Sequence, residues 1–264
     1  MGAVLSNRMA TRLSDVAPVH WATPIVLALG VFVIYTVDRL LDIQQPNRPP
    51  TNRHRFHHQH APLLWRVVAG ATALALLLTF SLPGSVIKFG FVLGGICAAY
   101  VVAVFRLPAR HPALLLKEPL VALLFSAGIW GSVWVQRPAV SGIDIAEALM
   151  FTGIAFQNLI LFDVMEKREL SGVVQPGKAA FSIATEWGAD RCDTLLRWLT
   201  FGVVTSGFML CFITTDRFAQ RSALMLGLMS LTLYGIQRYP AYFLQHERYR
   251  WLGDGVFWLP ALVL

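Results

Sequence analysis

WATPIVLALGVFVIYTVDRLLD, residues 21–42, carries no charged side chain from Trp21 to Val37 and then sets Asp38, Arg39 and Asp42 close together. An uninterrupted apolar run of this length spans roughly 30 Å of hydrocarbon only as a helix, because a helix satisfies its own backbone hydrogen bonds. A membrane barrel would alternate apolar and polar residues instead. The stretch therefore predicts a membrane helix that ends on acid.

The same pattern recurs along the chain. Apolar segments run over 21–38, 63–82, 86–105, 113–135, 144–164, 193–214, 218–238 and 251–264. The stretch from Gly2 to Pro18 is a poorer candidate because of Arg8, Arg12 and Asp15, and reads as a short or degenerate first helix, or as an amphipathic helix in the interface. Of the 264 residues 56% are hydrophobic and 14% charged, where a soluble domain carries roughly 25% charged residues. Mean hydropathy is +0.57. The expected fold is an all-α, polytopic transmembrane bundle of 8–9 spans. It forms a single membrane domain over residues 1–264.

Numbering the eight segments places their connections on alternating sides. Arg8, Arg12, Lys88, Arg137, Arg217 and Arg221 fall on one side, and the other sixteen of the 22 Lys and Arg on the opposite side. The richer side is expected to be cytoplasmic. It also holds the three long connections, 39–62, 165–192 and 239–250. The net charge of +7 is then read as topology and contact with anionic lipid, and no nucleic acid is expected as a partner. No cleavable signal peptide is expected, since residues 1–20 lack a continuous apolar core. An integral protein of a bacterial cytoplasmic membrane is the expected setting.

Two acidic constellations close apolar helices on that side. Asp38 and Asp42 are four apart and share a helical face. In Asn158-Leu159-Ile160-Leu161-Phe162-Asp163-Val164-Met165-Glu166-Lys167-Arg168-Glu169, Asp163 and Glu166 are three apart and also share one. Carboxylate oxygens suit Mg²⁺, which keeps waters and shares its ligands with phosphate. Two such clusters flanking one cavity would hold Mg²⁺ on a diphosphate, with Arg39, Lys117, Lys167 and Lys178 available to grip phosphate oxygens. Ordinary helix-end solvation, and for Lys117 snorkelling to the interface, are the plainer readings. The histidines of Arg53-His54-Arg55-Phe56-His57-His58-Gln59-His60 read as a solvated basic loop in contact with headgroups or phosphate. Cys97, Cys192 and Cys211 have no metal-ligand or disulfide spacing. The absence of repeat symmetry and of a Gly/Pro-broken helix pair weighs against a transporter.

The two acidic motifs together resemble those of the UbiA superfamily of intramembrane prenyltransferases. Asp38 and Asp42 match the aspartates of its first motif, NxxxDxxxD, and Asp163 and Glu166 fall where its second begins. Lys178 to Gly188 resembles the segment after the second motif, and Arg248 to Asp254 the run into the last helix. Ile34 stands where the family carries Asn, and Lys167 where it carries a second aspartate. The resemblance implies Mg²⁺-dependent transfer of a prenyl group from an isoprenoid diphosphate to a lipophilic, aromatic acceptor drawn from the bilayer. It implies Asp38, Asp42, Asp163 and Glu166 as metal-holding, catalytic residues, and Arg39, Lys117, Lys167 and Lys178 as diphosphate ligands. The alternative is a non-catalytic, UbiA-like membrane subunit or lipid-binding scaffold, motivated by Ile34 and Lys167.

Overall fold

A computed structural model describes residues 1–16, 20–43, 52–108, 110–170 and 181–264; the side chains of Asp42, residues 52–55 and Leu170 fall outside the description. Every regular element among the described residues is helical. Among the described residues six helical stretches are long and apolar enough to cross a membrane: Ala22–Leu41, Phe56–Thr79, Gly84–Arg106, Pro112–Trp134, Gly142–Glu169 and Ala189–Ile213. The chain is a membrane protein by this measure, and six of the eight segments read from hydropathy meet it among the described residues.

The difference lies in two segments. Arg217–Arg238 forms one continuous helix of 22 residues, yet its polar side chains keep it out of the apolar set. Ser222, Ser230 and Gln237 are buried among neighbouring helices instead of facing lipid. The last segment is broken: a helix Arg248–Gly255 gives way to a 3₁₀ stretch Val256–Leu262 around Pro260. Proline removes a backbone donor and stops an α-helix from continuing.

We number the α-helices α1 (Gly2–Leu13), α2 (Ala22–Asp42), α3 (Asn52–Thr79), α4 (Gly84–Arg106), α5 (Lys117–Ser126), α6 (Ser132–Trp134), α7 (Gly142–Leu170), α8 (Ile183–Trp187), α9 (Ala189–Ile213), α10 (Arg217–Arg238), α11 (Pro240–Leu244) and α12 (Arg248–Gly255). The expected connection over 39–62 is thus shorter: α2 runs on through Asp42 and α3 starts at Asn52. Likewise 165–192 contains the end of α7 and all of α8, and 239–250 is largely helical.

Helix α7 is the axis of the bundle. Of its span window 56% is buried, against 6% for α3. It packs on α5, α9, α10, α8 and α12, and α9 pairs most extensively with α10. The α9–α10 pairing is close because Gly207 has no side chain: a Cβ there would stand 2.9 Å from the Ala223 carbonyl. Helix α3 packs chiefly on α2.

Helix α1 is a short helix of 12 residues packed into the bundle. Ser6, Asn7, Met9 and Ala10 are buried inside the bundle. Their place is decided by a π turn, Ala127–Gly131, between α5 and α6. A π turn disturbs the regular hydrogen-bond ladder, and Asn7 Nδ2 donates to Ile129 O at 2.8 Å and to Ser132 Oγ at 3.1 Å. Asn7→Ala is expected to cost about 1–3 kcal/mol, the usual cost of leaving a buried polar group short of its partner. A lowered thermal unfolding midpoint in detergent checks this; an unchanged midpoint would show that Asn7 does not anchor α1.

Candidate functional site

The end of the bundle that carries both acidic motifs is assembled from α2, α5, α7, α8 and α12. At the end of α2, Asp38 Oδ1 lies 3.4 Å from Lys117 Nζ, both side chains about a quarter exposed. Lys117 is the first residue of α5, entered from a 3₁₀ stretch Pro112–Leu116 capped by His111. This entry aims the ammonium at α2 and away from solvent. The same ammonium acts on the Asp163 carboxylate of α7. Lys117 therefore pairs with the first acidic motif and lies within electrostatic reach of the second.

Asp163 is also held from the other side. The Ser182 hydroxyl and the Ala184 backbone N–H both support its carboxylate. They come from the start of α8, which is fixed by a reciprocal cap between Ser182 and Thr185. Gly188, at φ +84, lets the chain turn sharply from α8 into α9. Despite this support, Asp163 Oδ2 is buried with no hydrogen-bond partner.

One turn further along α7, Glu166 Oε2 faces Arg250 Nη2 of α12 at 3.6 Å, and Arg250 Nε faces Glu247 Oε2 at 3.1 Å. Tyr249, fully buried, donates to Glu169 Oε2 at 3.1 Å. Burial, with smaller help from Glu169 and Glu166, pushes its phenol well above the usual range and keeps it a donor.

The remaining residues expected at the site divide. Lys167 Nζ donates to Ala184 O at 2.8 Å and so secures α8. Arg39 stacks over Tyr35 with its guanidinium carbon 5.3 Å from the ring centroid. Asp42 continues the helical register of Asp38, but its side chain lies outside the described residues, as does Lys178. Arg168 binds Asp193 at 2.6 Å, and Gln237 donates to Asp193 O at 2.9 Å. These contacts tie α7, α9 and α10 together. The histidine stretch lies in helix α3 and not in the loop expected from the sequence; there His60 packs on Phe56 at 4.5 Å.

Sequence reasoning gave no role to Arg250, Ser182, Tyr249 or Glu118. Glu118 is buried beside Lys117, and Cys192 senses both Glu118 and Asp163, so Glu118 belongs to the same neighbourhood. Its local signal was weak: an acid next to a lysine reads as an ordinary helix-start pair. Asp144 and Glu147 at the far end of α7 were missed too. Asp144 accepts from Ser14 Oγ at 2.7 Å and from Arg137 at 2.8 Å, and Ser222 Oγ donates to Glu147 at 2.6 Å. These contacts fasten α1, α7 and α10 at the end opposite the acidic motifs.

An oxygen-only carboxylate set suits Mg²⁺ in kind, and the unpartnered Asp163 Oδ2 marks a place where a cation would be welcome. Among the described residues no group of three or more His, Cys, Asp or Glu is gathered to hold a metal ion. Lys117 and Arg250 balance the charge there instead. The arrangement can bind oxyanions through those two cations, and divalent ions through acids that the cations release. No family model, curated protein or solved structure matches this chain.

Proposed function

We propose that the protein is an intramembrane prenyltransferase of the UbiA type. It is a bundle of eight spans with α1 in the place of a ninth, with its acidic end on the cytoplasmic side of a bacterial inner membrane. The observation that supports the reading is Lys117, which pairs with Asp38 on α2 at 3.4 Å and whose charge also reaches the Asp163 carboxylate on α7. One cation is thus within electrostatic reach of two acidic motifs far apart in sequence, which suits a site for an anionic leaving group.

In this reading Lys117 and Arg39 bind the diphosphate of an isoprenoid donor, while Asp38, Asp42, Asp163 and Glu166 hold Mg²⁺. The metal supplies charge neutralisation of the leaving diphosphate. The C–O bond to the allylic carbon breaks, and pyrophosphate departs with the electron pair. The acceptor's aromatic carbon attacks the cation and then loses its proton, leaving the prenylated product. The apolar walls of the bundle exclude the water that would otherwise capture the cation. Lys167 gives one of its three donors to the Ala184 carbonyl and adds positive charge beside the second motif.

A second reading is favoured by the balanced charge of the site. Asp38 and Glu166 each face a protein cation, which suits a non-catalytic subunit that holds a lipid without turning it over. Purified protein given labelled farnesyl or geranylgeranyl diphosphate, Mg²⁺ and a panel of lipophilic acceptors separates the two. Turnover is expected, and Asp38→Asn and Asp163→Asn are each expected to lower it by about two to three orders of magnitude, the loss of several kcal/mol of charge stabilisation. Diphosphate binding without turnover would favour the scaffold, and no diphosphate binding would overturn both readings.

A further inference from the structure

We propose that Arg250 is a placeholder cation, paired with Glu166 in the empty protein and handed to a diphosphate when one binds. The inference rests on the prenyltransferase reading of the site and adds a residue and a coupling that the reading does not contain.

The backbone that carries Arg250 is fixed. Helix α12 lies so close to α7 that a Cβ on Gly253 would stand 2.4 Å from Phe162 Cε1 and 2.8 Å from Asn158 Oδ1. The Tyr249 ring packs edge-on against Phe162, and its hydroxyl holds Glu169. Arg250 thus extends over the Tyr249 ring, 5.0 Å from its centroid, toward the Asp163–Glu166 end of α7.

Its head group, in contrast, is loosely satisfied. The Glu166 contact of 3.6 Å is longer than a direct hydrogen bond. The Glu247 oxygen is near at 3.1 Å, yet Nε is buried with no properly aligned hydrogen bond. Glu247 and the preceding His246 both have left-handed backbone, at φ 54, a region that non-glycine residues enter rarely. The guanidinium is held by charge while its Nε–H donor stays unspent. A guanidinium offers five N–H donors in a planar fork, and two phosphate oxygens match that fork better than one offset carboxylate on either side.

The charge count gives the exchange a direction. Two carboxylates, Glu166 and Glu247, share one guanidinium. When an oxyanion draws Arg250 away, Glu166 is left without its cation, and a divalent ion gains there. When a divalent ion occupies Glu166, Arg250 is repelled toward the oxyanion. Each ligand then favours the other, and linkage requires the two effects to be equal in free energy. Neither motif alone has this property: Lys117 on Asp38 and Arg250 on Glu166 keep the site neutralised until both ligands arrive.

The test measures binding to the full-length protein in detergent, with inorganic pyrophosphate as one probe and Mn²⁺ as the other. Free Mn²⁺ is counted by electron paramagnetic resonance. The wild-type protein is expected to bind each probe at least tenfold more tightly in the presence of the other. Arg250→Gln should weaken pyrophosphate binding by roughly tenfold to a hundredfold, the range for one charge-assisted contact. It should tighten Mn²⁺ binding measured alone and shrink the mutual enhancement. Arg250→Lys should restore part of the pyrophosphate affinity, which separates a lost contact from a misfolded α12. Pyrophosphate binding unchanged in Arg250→Gln but lost in Lys117→Gln would overturn the role of Arg250 and leave the prenyltransferase reading intact. A wild-type protein that binds no pyrophosphate would overturn both.

Discussion

Lys117→Gln is expected to abolish measurable prenyl transfer and to make the protein's thermal stability depend on Mg²⁺. The ammonium lies 3.4 Å from Asp38 and acts on Asp163. Removing it leaves the Asp38 carboxylate without this cation and takes away a positive charge that acts on Asp163. Breaking a buried ion pair from one side costs about 3–5 kcal/mol; with side chains 22% and 28% exposed, solvent screening reduces that to about 1–3 kcal/mol. Loss of the diphosphate contact lowers turnover by a further factor of roughly 10²–10³. The wild-type unfolding midpoint should respond little to added Mg²⁺, because protein cations already neutralise the acids. The midpoint of Lys117→Gln should rise with Mg²⁺, because the ion then does what the lysine did. A variant with wild-type midpoint and turnover would reduce Lys117 to a lysine that reaches for the interface.

The second large effect is expected at Gly253. Any side chain at this position meets Phe162 and Asn158 at less than van der Waals distance. Gly253→Leu should therefore push α12 off α7 and destabilise the protein by about 1–3 kcal/mol or more, the usual cost of overpacking. Because α12 also carries Tyr249 and Arg250, the same variant should lose the Glu169 and Glu166 contacts and weaken diphosphate binding. Space made in the opposing side chain tests the cause. Phe162→Ala with Gly253→Ala should be less damaging than the sum of the two single changes, as expected of residues in direct contact. Strict additivity would show that α12 and α7 do not depend on each other at this point.

The packing of α12 also shows why part of the site was hidden in the sequence. Arg250 stands in a run, Arg248 to Asp254, that could be aligned with a family's last helix. Nothing local in that run says which acid the guanidinium reaches. Glu166 and Arg250 meet only because Gly253 allows two helices to touch. The lysines illustrate the same limit. Lys117 and Lys167 looked equivalent as candidates, each a cation near an acidic motif. The structure gives them different partners: Lys117 pairs with Asp38 of the first motif, while Lys167 donates to the Ala184 carbonyl.

The sequence by itself determined that the chain is helical and membrane-embedded, because both follow from local, one-dimensional facts: apolar runs of sufficient length and the periodicity of a helix. It also determined that Asp38 and Asp42, and Asp163 and Glu166, share helical faces, since those pairs sit one turn apart. Tertiary structure decided the rest. Arg217–Arg238 is long enough to span but buries its serines and glutamine against α7 and α9, and α1 is drawn into the bundle by the Ile129 carbonyl that Asn7 binds. Which cation meets which acid was decided there too. Such pairings depend on how closely helices approach, and a glycine such as Gly253 or a turn such as Ala127–Gly131 sets that approach without any signature in hydropathy.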